Sequence, residues 1–254
     1  MPIIKVKGRE VHIQELNKEA KQTVVLIHGM FSNLSIYYFN IAPILAKRYH
    51  VVMYDLKSHG MSERALTGYD LKSMSYDLLD LLDYLELKSV NLVGYSFGGL
   101  IALKTALAAA GRIERLVLIE APDPQDEKAR DIIETYNREF LEHYVENFTD
   151  TTKMKMGKRQ MEKNHRMYTF LFEQTSIKAD MIREKYFMRE IGDADVMADT
   201  LLLYGANSNC RVTGELLHSK IEQSELAFLA GDHNIPVQDP QGIAKSIVHF
   251  LSKP

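Results

Sequence analysis

A chain of 254 residues, 46% of them hydrophobic, is long enough to bury a sizeable core as one large α/β domain or as a domain carrying an insertion. The net charge of −3, with both signs mixed along the chain, gives no electrostatic case for nucleic acid as the main partner. The single cysteine, Cys210, permits no internal disulfide, Met1 to Lys7 lacks the apolar core of a signal peptide, and no apolar stretch approaches the roughly 18 residues of a membrane span, so a reducing, cytoplasmic setting is expected.

In chain order, residues 3–7 and 10–16 alternate apolar and polar around Gly8-Arg9, as an antiparallel hairpin at a sheet edge would. Thr23 to His28 is a continuous apolar run that ends in His28-Gly29-Met30-Phe31, the pattern of a buried parallel strand entering a loop. Residues 35–47 predict a helix, Val51 to Asp55 a strand, and Lys57 to Ser62 a turn-rich loop. Leu71, Met74, Leu78, Leu81, Leu82 and Leu85 share one face of a helix over 70–85. Val90 to Tyr95 is a strand, a helix follows from Gly99 with Gly111 as its terminator, and Leu116 to Glu120 is the next strand. From Ala121 to about Asp199 no strand is evident; this stretch is charged and rich in methionine and phenylalanine at helical spacing. Strand and helix then resume with Thr200–Gly205, a helix near 212–222, the short strand Leu226–Leu229, and a last helix over about 240–251. Such alternation implies right-handed crossovers and a parallel sheet covered on both faces, with ligands at the carboxyl ends of the strands. The expected division is a core of residues 1–120 and 199–254 with a helical cap, 121–198, inserted between the sixth and seventh strands.

The chemistry centres on Gly94-Tyr95-Ser96-Phe97-Gly98-Gly99, placed between a strand and a helix. A serine on so sharp a turn takes strained backbone angles, and a Cβ at either flanking glycine would collide with the neighbouring strand and helix. Its hydroxyl is thereby exposed at a helix N-terminus, where developing negative charge is favoured. A hydroxyl is a poor nucleophile at neutral pH and needs a base held by an acid. Of nine histidines, His233 lies on a loop between the final strand and the last helix, at the same sheet edge as Ser96. His28 ends a buried strand and is expected to brace the loop after it, and His59 is expected to be structural.

Together, His28-Gly29, Asp55 with Gly60 and Ser62, the Gly94–Gly99 turn, Gly205, and His233 with Pro240 resemble the motifs of the α/β-hydrolase superfamily over nearly the whole chain outside the insertion. The resemblance implies a mostly parallel eight-stranded sheet with helices on both faces and a helical cap, and an oxyanion hole made by the backbone N–H groups of Phe97 and Met30. Most members carry an aspartate three residues after the glycine that follows the seventh strand; here that position is Ser208, which cannot balance an imidazolium. A subset resembles this chain in placing the acid after the sixth strand, which assigns Glu120 as the acid and Ser208 as a hydrogen-bonding helper to His233, with Asp123 and Asp232 as the competing carboxylates.

Serine at 96 sets the chain apart from the haloalkane dehalogenases and epoxide hydrolases of the superfamily, which use aspartate there, and points to acyl transfer from an ester or thioester. The Gly94–Gly99 glycines lack dinucleotide spacing, and no His/Cys cluster is spaced in sequence for a metal, so neither cofactor nor metal is expected. Met30, Phe31, Phe97 and Tyr95 are the candidate substrate contacts, favouring an apolar acyl chain. Residues 153–166 hold six basic side chains against one acid: a solvated helix face, or a docking patch for coenzyme A phosphates or an acidic acyl carrier protein. A carbon–carbon bond hydrolase or lyase and a non-catalytic receptor are the alternative readings of the same scaffold.

Overall fold

The computed structural model describes residues 2–30, 32–127, 146, 150, 152, 157–189, 191–192 and 196–253. Eight strands form one sheet in the order β1-β2-β4-β3-β5-β6-β7-β8. They are β1 (Ile3–Val6), β2 (Arg9–Leu16), β3 (Thr23–Ile27), β4 (His50–Tyr54), β5 (Val90–Tyr95), β6 (Ile113–Ile119), β7 (Asp199–Gly205) and β8 (Ser224–Leu229). The hairpin β1–β2 adds antiparallel to β4, and every pairing from β4 through β3 to β8 is parallel.

Every residue of β3, β4 and β5 is buried, because both faces of the sheet are covered. Alternate side chains feed two apolar layers: Val25, Ile27, Val52 and Tyr54 point to one, and Val24, Leu26, Val51 and Met53 to the other. The first layer is closed by α3 (Leu71–Tyr84) and α4 (Phe97–Ala108), the second by α1 (Ser35–Tyr38), α2 (Ala42–Leu45) and, from the C-terminus, a helix over Pro240–Leu251. The α3 helix starts where Asp70 accepts the Ser73 N–H at 2.9 Å, and it buries Leu71, Met74, Leu78, Leu81 and Leu82 as the periodicity predicts.

Two elements depart from expectation. The helix expected over 35–47 is two four-residue pieces, since Pro43 has no N–H to donate back to Phe39 and the ladder restarts at Ala42. Gly111 does not terminate α4; the helix ends at Ala108, and Gly111 lies inside a 3-10 turn over Ala110–Arg112.

Between β6 and β7 the described residues form α5 (Lys158–Gln174), α6 (Ile177–Arg183) and a 3-10 segment over Glu184–Arg189. Their Tyr168, Leu171, Phe172, Ile177, Met181, Phe187 and Met188 join the core layer of α3 and α4, so Met181 and Met188 are packing residues. Asp180 accepts the Tyr69 N–H and Glu184 the Leu71 N–H, each at 2.9 Å, which fastens the insertion to the N-terminus of α3 at the carboxyl edge of the sheet. Met154 and Met156 fall outside the described residues. The remaining helices are α7 (Arg211–Lys220), α8 (Ile235–Gln238) and α9 (Pro240–Leu251). No described helix is long and apolar enough to cross a membrane.

Because β3 pairs with β4 on one side and β5 on the other, the chain reverses its direction of travel across the sheet there. The loops after β3 and β5 therefore part above the sheet and open a crevice between them.

Candidate active site

Ser96 stands at that crevice with φ 53° and ψ −121°, between the last residue of β5 and the first of α4. The strain is enforced by close packing: a Cβ on Gly94 would lie 2.3 Å from the Gly98 carbonyl oxygen, and one on Gly98 would lie 2.3 Å from that of Ile27. The Ser96 N–H donates to Ile119 O at 2.8 Å, and Gly99 N–H closes the turn onto Ser96 O at 2.8 Å. Phe97 is the first residue of α4, so its N–H has no acceptor within the helix.

The loop after β3 runs alongside. A Cβ on Gly29 would stand 3.1 Å from Ser96 Cβ and 3.2 Å from the Tyr95 ring. Three side chains hold this loop. His28 donates from Nδ1 to Gly29 O at 2.7 Å and accepts the Leu56 N–H on Nε2 at 3.0 Å, which fixes a neutral tautomer; burial, with the neighbouring His59, pushes its pKa down to about 3. His59, its pKa also pushed down by burial, lies between two backbone carbonyls, with Nε2 2.5 Å from Met30 O and Nδ1 2.9 Å from Lys57 O, one of which its single N–H serves. Asp55 accepts the Leu34 N–H at 2.8 Å and His12 Nδ1–H at 2.7 Å in the interior, and the Met61 N–H at 2.9 Å nearer the surface. Met30 is buried beside the site, and Phe31 lies outside the described residues.

His233 comes from the loop between β8 and α8, and its Nε2 accepts the Ser96 hydroxyl at 3.1 Å while Nδ1–H donates to Glu120 Oε2 at 3.0 Å. This tautomer is assigned by the network, since an ionised carboxylate can only accept. Glu120 leaves β6 with φ 54°, is fully buried, and also accepts the Gly205 N–H on Oε1 and the Ser208 hydroxyl on Oε2. Burial lowers the His233 pKa, but hydrogen bonds and charge from Cys210 and Glu120 outweigh it and hold the ring above the ordinary imidazole value of 6.5.

Glu120, His233 and Ser96 are thus brought together, while the competing carboxylates point elsewhere. Asp123 accepts the Gln125 N–H and Asp232 the Asn234 N–H, each at 2.8 Å. Two expected contacts are corrected. Ser208 bonds to Glu120 rather than to His233, because its turn follows β7, whose end lies beside the end of β6. Tyr95 is buried under the imidazole, donating its hydroxyl to His233 O at 2.9 Å with the rings 5.4 Å apart, and so braces the histidine from the protein side.

The residue that sequence reading missed is Cys210. Its Sγ lies 3.5 Å from His233 Nδ1, and its N–H donates to Ser208 Oγ at 3.0 Å. The signal was its position two residues after Ser208 in the same turn. Folding does what sequence spacing does not: among the described residues it brings donor atoms of Glu120, Cys210 and His233 within 4.8 Å of one another.

Comparison with known proteins agrees with this architecture. Among curated relatives, the acetyltransferase component of the acetoin cleaving system of Pseudomonas putida is 34% identical over 140 residues, 55% of this chain and 35% of that protein. The chain spans less than half the length of curated relatives that it matches. Among solved structures, an esterase from Exiguobacterium antarcticum superposes with a TM-score of 0.76 at 20% identity, covering 99% of this chain and 98% of its own. The epoxide hydrolase CorEH superposes at 0.80 with 16% identity, covering 99% and 98%. These likenesses show the fold. Residues 22–167, more than half of the chain, match the family model described as alpha/beta hydrolase fold, and the chain belongs to that family.

Proposed function

We propose that this chain is a serine hydrolase that cleaves carboxylic esters or thioesters through an acyl-serine intermediate. The observation that carries the reading is the unbroken relay from Ser96 Oγ to His233 Nε2 at 3.1 Å and from His233 Nδ1–H to Glu120 Oε2 at 3.0 Å. In this mechanism His233 takes the Ser96 proton as the hydroxyl oxygen attacks the carbonyl carbon. The oxyanion that forms lies at the N-terminus of α4, where Phe97 N–H and Met30 N–H stabilise it. His233 then returns the proton to the leaving alcohol or thiol, and a water activated by the same ring releases the acid. Glu120 holds the ring in the Nδ1–H tautomer and balances its positive charge.

A serine at position 96 favours this chemistry over epoxide opening, which needs a carboxylate nucleophile at the elbow. The insertion over 121–198 is proposed as the cap of a core formed by 1–120 and 199–254, and buried Met30 and Phe97 beside the serine favour an apolar acyl group. Of the proposed docking patch for coenzyme A or an acyl carrier protein, Lys153 and Lys155 lie outside the described residues, and Arg159, Lys163 and Arg166 are exposed on α5.

The test is labelling by a fluorophosphonate, followed by a panel of esters and thioesters of graded acyl length. Adduct on Ser96, absent in Ser96→Ala, together with turnover of acyl esters, is the expected result. Absence of labelling with Ser96 intact overturns the reading.

A further inference from the structure

Cys210 has no part in the mechanism above, yet its sulfur stands against the Nδ1 side of the histidine on which that mechanism depends. Three donor types meet there from three separate elements: a carboxylate at the end of β6, a thiol in the turn before α7, and an imidazole in the loop before α8. The two spacings measured from Nδ1 approach those of a tetrahedral metal site, and all three donor atoms lie within 4.8 Å of one another. With zinc–sulfur and zinc–nitrogen bonds of about 2.3 and 2.05 Å, the 3.5 Å between Sγ and Nδ1 gives an angle at the metal of about 105–110°. With a zinc–oxygen bond of about 2.1 Å, the 3.0 Å between Nδ1 and Oε2 gives about 93°, which a movement of a few tenths of an ångström would open.

The surroundings also suit it. Glu120 is fully buried and oriented by Gly205 N–H and Ser208 Oγ–H, the kind of outer hydrogen bonding that holds a metal-ligating carboxylate in place. The His233 side chain keeps 37% exposure and Cys210 is half-buried, so a cation and a fourth, water ligand can arrive from solvent. Thiolate and imidazole donors select zinc-like cations over magnesium or calcium.

We propose that Glu120, Cys210 and His233 form a site for a thiophilic divalent cation, Zn²⁺ being the fitting example, and that its occupation switches the hydrolase off. The inhibition half of this inference rests on the proposed role of His233 as base. On binding, the Cys210 thiol gives its proton to water, and the neutral imidazole moves its proton from Nδ1 to Nε2. The metal then holds Sγ, Nδ1 and Oε2, with no change of oxidation state. An imidazole ligated through Nδ1 presents Nε2–H to the Ser96 oxygen and has no lone pair left to accept its proton. The nucleophile stays a neutral hydroxyl, and acylation stops.

The experiment has two arms. In the first, ester hydrolysis by the whole protein and by Cys210→Ala is titrated with zinc chloride, each normalised to its own metal-free rate. Inhibition that EDTA reverses, with the half-inhibitory concentration raised tenfold or more in Cys210→Ala, supports the site; equal sensitivity in the two proteins, or no inhibition of the parent, overturns the switch. In the second, Co²⁺ replaces zinc and no turnover is needed. A near-ultraviolet thiolate-to-cobalt charge-transfer band that saturates at one equivalent and is lost in Cys210→Ala is expected, and its absence in the parent overturns the site. The cobalt band in a protein without esterase activity would uphold the metal site and overturn the ester reading alone.

Discussion

Replacing Glu120 with glutamine tests the relay with the smallest change of shape. Three donors converge on this carboxylate: Gly205 N–H on Oε1, and Ser208 O–H and His233 Nδ1–H on Oε2. An amide cannot accept all three, because one of its two ends is itself a donor. If its NH₂ takes the Oε1 place, it meets Gly205 N–H head-on with no water to intervene, since the residue is fully buried. If it takes the Oε2 place, His233 must accept on Nδ1 and move its proton to Nε2, where it faces Ser96 instead of accepting from it. Either outcome removes the charge that supports the imidazolium. Neutralising a triad aspartate in a serine protease costs about 10⁴-fold in kcat, near 5.4 kcal/mol at about 1.36 kcal/mol per tenfold. The 37% exposure of His233 lets water replace part of that support, so the expected loss here is between about 10² and 10⁴ in the acylation rate, or roughly 2.7–5.4 kcal/mol. The assay is the pre-steady-state burst on a p-nitrophenyl ester, with circular dichroism as the control for folding. Near-parental bursts in Glu120→Gln, together with a collapse in Asp123→Asn or Asp232→Asn, would refute the reasoning.

The acid limb of kcat/KM, where His233 becomes protonated and can no longer act as base, is expected above the ordinary imidazole value of 6.5, and to move down in Glu120→Gln; a limb at or below 6.5 in the parent contradicts the charge pairing. Because the folded-state pKa is raised, the pair's contribution to stability is complete below pH 6.5 and is lost as pH rises through the raised folded-state value, so Glu120→Gln should lower Tm more at about pH 6 than in alkaline solution. Gly98→Ala places a methyl 2.3 Å from a backbone oxygen and is expected to prevent folding or to lower Tm by more than about 10 °C, whereas Gly111→Ala, with nothing within 4 Å of the new carbon, should fold normally; equal Tm values for the two would dismiss the packing argument. Asp55→Asn leaves at least one of Leu34 N–H, Met61 N–H and His12 Nδ1–H without its acceptor, at about 1–3 kcal/mol each; for a chain of this size that lowers Tm by about 3–10 °C, measured by calorimetry, and a change under about 1 °C would show that the loop is held by other means.

What the sequence made legible follows from which forces are local. The strand periods of β3 to β7 and the face of α3 are written in consecutive apolar positions, and the glycines at 94 and 98 announce a turn that only a missing Cβ permits. Ser96 and His233 could be placed because each sits where a strand gives way to a helix, and in a parallel sheet those junctions share one edge. Glu120 was legible for the same reason, but its partners were not. Which donors reach a carboxylate depends on how far β6 and β7 are offset, and the register that sets Ile119 beside Leu203 leaves no trace in either segment alone. That offset directs Ser208 to Glu120 and leaves the next inward-facing side chain of the turn, Cys210, to meet the imidazole. The break between α1 and α2 was overlooked for a different reason: the apolar spacing over 35–47 fits a helix throughout, and one missing N–H at Pro43 outweighs it. The residues hardest to read are thus those whose roles are set by a neighbour distant in sequence. Cys210 shows the consequence, since a cysteine with no cysteine or histidine near it in the chain offers no metal pattern until β7 and β8 bring His233 to it.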